Sequence, residues 1–246
     1  MTVLLEEWEL QNWTIKILPL FCGITLIGFE ILTGLVPLAC RVLGTNKIPV
    51  KGKHLDTLSW LDISFININK ALTLMFAYHL IWLCTSLPSI KWKIEEATVF
   101  NTVGSLIAFY IFYDFFYVAF HRTLHLRSLY GYIHKHHHRQ KAPSRGNLDA
   151  INVHPFEFIV GEYLHLVAIY FIPSHLIACI AFIAVGGVLA SLNHTRCDVN
   201  IPGVYSVKVH DVHHRIPESN YGQYLMLWDR VFGSYRDYST VKSEND

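Results

Sequence analysis

Three long apolar runs, residues 17–40, 65–87 and 98–120, constrain this chain more than any other feature. A helix crossing the hydrocarbon core of a bilayer needs ~20 mainly apolar residues, and in lipid only helices and closed barrels satisfy their own backbone hydrogen bonds. Each run therefore predicts a membrane-spanning helix, the second frayed at its start by Asn67, Asn69 and Lys70. A fourth region, residues 158–192, is too long for one span and short for two. Pro173 breaks it and Gly186-Gly187 softens it, which predicts a re-entrant or tilted helical hairpin with both ends on one face. Composition agrees with lipid as part of the solvent. Charged residues make up 16% of the chain, against ~25% in soluble domains. The formal net charge of +1 offers nothing to a nucleic acid. The five cysteines include no CxxC pair, and four lie in or beside apolar runs. They read as small buried apolar residues.

Lysine and arginine mark the cytosolic side of a membrane protein. Residues 1–16 hold only Lys16, and the 88–97 loop holds Lys91 and Lys93. The 41–59 loop holds Arg41, Lys47, Lys51 and Lys53, and residues 121–157 hold Arg122, Arg127, Lys135, Arg139, Lys141 and Arg145. Three crossings put the two rich stretches on one face. The expected topology has a lumenal N-terminus, with everything from His121 onward cytosolic. The first run is full length and follows an acidic start, so it reads as a retained anchor rather than a cleaved signal.

Histidine is abundant, with 15 residues, and it is grouped. "HRTLH" places His121 and His125 four apart, "HKHHH" contains His134, His137 and His138 as HxxHH, and "HDVHH" repeats HxxHH at His210, His213 and His214. Positions i, i+3 and i+4 share a helix face, so each group can aim its imidazoles at one point while His136 points away. Every group flanks an apolar run, on the cytosolic side of the expected topology. Eight neutral nitrogens suit two ions better than one. Structural zinc closes with four ligands that commonly include thiolates, and none are placed here. Imidazole-rich sites suit iron handling dioxygen, although zinc, copper and nickel also accept imidazole. The solitary His54, His79, His165 and His175 read as packed or hydrogen-bonded residues. Glu162 and His165 form a single ExxH, too little for a carboxylate di-iron bundle, which needs two copies and further glutamates.

The box order HxxxH, HxxHH, HxxHH resembles the fatty acid hydroxylase and sterol desaturase superfamily of integral membrane di-iron enzymes. "HPFE" (154–157), "NHTRCDVNIP" (193–202) and "YLMLWDRVFGSYR" (224–236) support the likeness, which covers about residues 60–238. It implies an all-α membrane protein, with transmembrane hairpins under a cytosolic helical cap that holds a His-rich dimetal site, in the endoplasmic reticulum. Residues 1–60 would form the anchor helix and a cytosolic loop, 61–238 the catalytic domain, and 239–246 a flexible tail. The implied ligands are His121, His125, His134, His137, His138, His210, His213 and His214, with His194 of "NHT" as a ninth. His154 matches a histidine near the site, or reads as a hydrogen bond fixing the start of the hairpin. Asp114 and Asp211 adjoin the boxes and read as acceptors that orient imidazoles, or as solvated or capping aspartates.

The implied activity is O2-dependent hydroxylation of a lipid C–H bond on a sterol, fatty acyl or sphingoid substrate taken from the bilayer. Desaturation by the same site is the alternative. The cofactors are two iron ions, replaceable by zinc in purified protein, and O2. With no fused cytochrome b5 module in the sequence, electrons are expected from a separate partner, cytochrome b5 or a similar reductase system. A metal transporter is disfavoured, because it would carry its polar ligands inside the spans along a pathway. A metal-free lipid scaffold would not need the boxes.

Overall fold

A computed structural model describes residues 2–243, with side chains for residues 17–240. The acidic start used in reading the first run as a retained anchor, and the end of the tail, lie outside the described side chains. The chain forms α1 (Thr2–Gly34), α2 (Val36–Val42), α3 (Trp60–Ser86), α4 (Ser105–Leu124), α5 (Arg127–Leu129), α6 (Asn147–Ala150), α7 (Pro155–Phe171), α8 (Leu176–Asn193), α9 (Val207–Arg215), α10 (Leu227–Val231) and α11 (Tyr238–Ser243). A π-helical turn, Phe100–Gly104, leads into α4. Sheet is confined among the described residues to two-residue strands, so the all-α expectation holds.

Side-chain caps start three of the long helices, α3, α7 and α8. Ser59 and Asp62 form a reciprocal capping box on α3: the Asp62 amide donates to Ser59 Oγ at 3.3 Å, and the Ser59 amide donates to Asp62 Oδ2 at 2.6 Å. His154 caps α7 by accepting from the Phe156 amide at 3.2 Å, with Pro155 in the first turn. His175 does the same for α8 through the Ile177 amide. The helices α3, α4, α7 and α8 pack side by side, with α1 against α3 and α8. Their shared core holds Phe109, Tyr113, Ala168, Ile169, Cys179 and Phe182. Outward-facing apolar side chains such as Phe21, Ile24, Ile27 and Ile31 on α1 remain exposed in the isolated chain, as lipid contact demands. The five cysteines are buried and free, as expected.

Among the described residues, three segments are long and apolar enough to cross a membrane: Ile17–Val42, Phe100–Leu124 and Leu176–Asn193. Two match the expected spans. The expected span at residues 65–87 is α3, which is not among them because of its polar positions. Those positions have partners inside the bundle. Asn69 Nδ2 donates to the carbonyls of Ile151 and Val153, and Lys70 pairs with Glu30 at 2.7 Å. The hairpin of α7 and α8 also differs from the re-entrant form expected. Its tip, Ser174–His175, pairs in parallel with Ile90–Lys91 in the loop between α3 and α4. The hairpin thus reaches as deep as its neighbours, since the 18 residues of α8 rise about 27 Å. Both of its ends still return to the histidine side.

Gly186-Gly187 does not soften α8, which runs through it unbroken. The pair instead lets neighbours approach. A Cβ on Gly186 would stand 3.0 Å from the Tyr224 hydroxyl, and one on Gly187 would stand 2.4 Å from the Phe29 ring. The two basic stretches meet on one face: the Lys141 amide donates to the Lys53 carbonyl at 2.9 Å, and Gln140 Oε1 accepts from the Leu55 amide at 2.9 Å.

Candidate dimetal centre

The histidines converge from four places in the chain. His121 lies in the last turn of α4, and His125 is its C-cap. His134 ends a π-helical turn, Tyr130–His134, and His137 and His138 open a 3-10 turn, His137–Arg139. His194 is the C-cap of α8, and His210, His213 and His214 lie on α9. The second box was expected on a regular helix. It is built from these tighter and wider turns instead.

Two groups result. His121, His125, His134, His138 and His213 form one, and His137, His194, His210 and His214 form the other; within each, one ring nitrogen per residue lies within 4.8 Å of all the others. The nine histidines expected at the site are therefore together, and all but the half-buried His125 are buried. Both HxxHH boxes are split. His134 and His138 serve the first group while His137 serves the second, and His213 is separated from His210 and His214 in the same way.

Anchors on the outer nitrogens set the direction of the inner ones. Nδ1 of His121 donates to the Tyr221 carbonyl at 2.8 Å, that of His194 to Ala190 at 2.8 Å, that of His213 to Ser219 at 2.6 Å and that of His214 to Gln140 at 2.9 Å. His134 Nδ1 stands 2.9 Å from Glu157 Oε1. A ring that holds its proton on Nδ1 presents a lone pair on Nε2. Those lone pairs face one another: Nε2 of His121 and of His138 each lie 2.9 Å from Nε2 of His134. In the other group, His194 Nε2 lies 3.5 Å from that of His137 and 3.3 Å from that of His210, which is 3.1 Å from that of His214. Nε2 of His125 and of His213 are buried with no hydrogen-bond partner at all.

Lone pairs at such separations repel unless a cation lies among them. Two nitrogens held ~2.1 Å from one ion, at right-angled or tetrahedral positions, stand ~3.0–3.4 Å apart. The donor set therefore fits two first-row transition ions, one per group. Burial keeps the rings neutral and ready to bind: it holds His137, His138, His194, His210, His213 and His214 below their ordinary pKa and His125 at about 3.

The remaining candidates do other work. Asp114 accepts from the amides of Gln223, Tyr224 and Leu225, so it fixes the loop after α9 rather than a ring. Asp211 is held between Arg196 and Arg215. His154 stays outside both groups as the α7 cap. His136 turns away, with Nε2 2.8 Å from Asn152 Oδ1 and 3.0 Å from Asp62 Oδ1. Sequence reasoning missed Glu157 as the partner of His134, although it ends the quoted "HPFE". It also missed Asp229, whose carboxylate accepts from the Tyr221 and Gly222 amides at 2.8 Å and so steadies the carbonyl that holds His121.

A cavity of about 100 Å³ leads from His121, His134, His137, His194 and His210 into the helical bundle, walled by α1, α3, α4, α7 and α8. Phe158, Ile183 and Tyr117 supply part of its wall, and His165, expected to be a packed residue, lines it too.

Comparison with known proteins gives a matching family model, "Fatty acid hydroxylase", over residues 106–234, more than half of the chain. The chain is 28% identical over 151 residues to "Lathosterol oxidase" of Homo sapiens, covering 59% of this chain and 50% of that protein. It is 28% identical over 203 residues to "Delta(7)-sterol-C5(6)-desaturase" of Nicotiana tabacum, covering 75% and 74%. It is 29% identical over 127 residues to "Methylsterol monooxygenase 1" of Rattus norvegicus, covering 49% and 43%. The chain spans about half the length of the first curated relatives it matches. No solved structure matches it.

Proposed function

The chain belongs to the fatty acid hydroxylase family, and from that premise we propose that it is a membrane di-iron oxidoreductase acting on a sterol. The observation that carries this is the pair of histidine groups with facing lone pairs, opening on a cavity inside the bundle. An unactivated C–H bond is beyond acid–base side chains, so the metals supply the oxidising chemistry with O2, and the protein supplies position. Two groups of buried neutral imidazoles hold the ions, the carbonyl and Glu157 contacts orient the rings, and the bundle admits an apolar substrate from the bilayer. The names of the relatives, Δ7-sterol 5(6)-desaturases and lathosterol oxidases among them, favour removal of two hydrogens from a sterol ring. Hydroxylation is the second reading, favoured by the similarity to a methylsterol monooxygenase. Either needs O2 and two electrons from a separate redox partner of the cytochrome b5 type. The basic loops that meet beside the histidines favour a cytosolic active site, and the endoplasmic reticulum is the membrane that the family resemblance suggests.

The test is oxidation of a Δ7-sterol by the iron-loaded protein with O2 and a b5-type reductase chain. A product lighter by two hydrogens supports desaturation, and one heavier by one oxygen supports hydroxylation. An iron-loaded protein that oxidises fatty acyl chains and leaves sterols untouched would overturn the sterol assignment.

A further inference from the structure

One acidic side chain on the cavity wall has nothing to bind. Glu162 lies on α7 five residues after Glu157, about 7.5 Å further along the helix axis and away from the histidines. Its carboxylate lines the cavity and makes no hydrogen bond or ion pair among the described residues. The other acids of that wall are paired: Glu30 with Lys70 at 2.7 Å, and Glu157 with His134 at 2.9 Å. Two sets of polar neighbours are occupied as well. The Tyr113 hydroxyl donates to the Gly161 carbonyl at 3.2 Å, and His165 Nε2 and the Tyr224 hydroxyl lie 3.0 Å apart.

An ionisable group among apolar helices is costly without a partner, and where it stands it marks a site whose partner must be found. The missing partner must donate a hydrogen bond and must arrive inside an apolar molecule. A free fatty acid would set a second carboxyl against the first, and an acyl tail brings no donor. A neutral lipid alcohol satisfies both requirements. We propose that Glu162 accepts a hydrogen bond from the hydroxyl of the substrate, so that the alcohol end seats deep in the bundle. A carbon several bonds away then faces the histidines. This rests on the assignment of the site as a sterol oxidase, and it adds the residue that would separate sterols from acyl lipids.

The test uses the full chain, iron-loaded in detergent, and measures binding of two probes: a Δ7-sterol with a free 3-hydroxyl and its 3-methyl ether. The wild type is expected to bind the alcohol about tenfold more tightly than the ether, the size of a hydrogen bond to a charged group. Glu162→Gln keeps the shape and a weaker, neutral acceptor, so the preference falls to about threefold. Glu162→Leu abolishes it while ether binding stays. Iron content and unfolding temperature, measured for each variant, report folding. A Gln variant that keeps the full preference, or variants that lose alcohol and ether equally, overturn the role of Glu162 and leave the sterol assignment standing. A wild type that binds neither probe overturns both.

Discussion

Glu157 Oε1 stands 2.9 Å from Nδ1 of His134, and both side chains are buried. The two residues belong to different segments, α7 and the π-helical turn that opens the second box, so the contact ties the hairpin to the first histidine group. Losing the partner of a ligating imidazole typically costs 10–100-fold in metal affinity. Glu157→Gln is therefore expected to lose metal about that much more readily, read as metal retained against a graded chelator. Retention equal to wild type in Glu157→Ala would refute the role.

His136 and His137 provide a paired comparison. His137→Gln removes one of the four nitrogens in its group, and metal stoichiometry should fall with activity. His136→Gln touches contacts outside both groups, with Asp62, Asn152, Arg139 and the Phe65 ring. It should keep its metal and lose about 1 kcal/mol of stability. Equal metal loss in the two variants would mean that the grouping of rings is wrong.

Acid should weaken the metal-free protein through its histidines. Burial depresses these rings in the folded state, His125 from 6.5 to about 3 and His137, His213 and His214 well below 6.5. The folded rings stay neutral where the unfolded ones charge. Below pH 6.5 the unfolded chain binds protons that the folded chain refuses, so stability falls as pH drops from 6.5 toward 3. The unfolding temperature should be flat just above that window and decline through it, and bound metal should shift the decline to lower pH. A profile that rises with acid would contradict neutral buried rings.

Packing between α1 and α8 allows a double-mutant check. A Cβ on Gly187 would meet the Phe29 ring at 2.4 Å, so Gly187→Ala should cost 1–3 kcal/mol by overpacking, on the order found for such insertions. In a Phe29→Ala background the same change should cost little. Additive losses in a denaturation assay would show that the two residues do not meet in the membrane-embedded protein.

How far the site is legible in the sequence depends on what kind of atom does the work. The boxes are legible because i, i+3 and i+4 spacing gathers rings whatever the exact turn, and His194 through its "NHT" setting. The allocation of rings is not. Both boxes part their i+3 ring from the i and i+4 rings, on the irregular turns of residues 130–139 and on the regular helix α9 alike, and a rule that only gathers rings on one face cannot foresee that His137 and His138 diverge. The carbonyls of Tyr221, Ala190, Ser219 and Gln140 are equally hidden, since every residue carries one. Asp114 and Asp211 look like partners for imidazoles by adjacency, yet backbone amides and arginines claim them. For the fold, the hydropathy of the sequence locates α1, α3 and α4, although Asn69 and Lys70 weaken α3 and are satisfied by other helices. It also says nothing about the depth of the hairpin, which the pairing of Ser174 with Ile90 sets.

The splitting of both HxxHH boxes between the groups bears on how the protein fills with metal. An ion bound by His134, His138 and His213 also immobilises the backbone that carries His137, His210 and His214. The ordering entropy of those two segments is met largely at the first binding event, and the second ion finds its donors already in place. Half-filled molecules are then the scarcest species. A cell short of that metal would hold a shrinking number of complete molecules beside empty ones, so output would decline by headcount, with the turnover of each working copy unchanged.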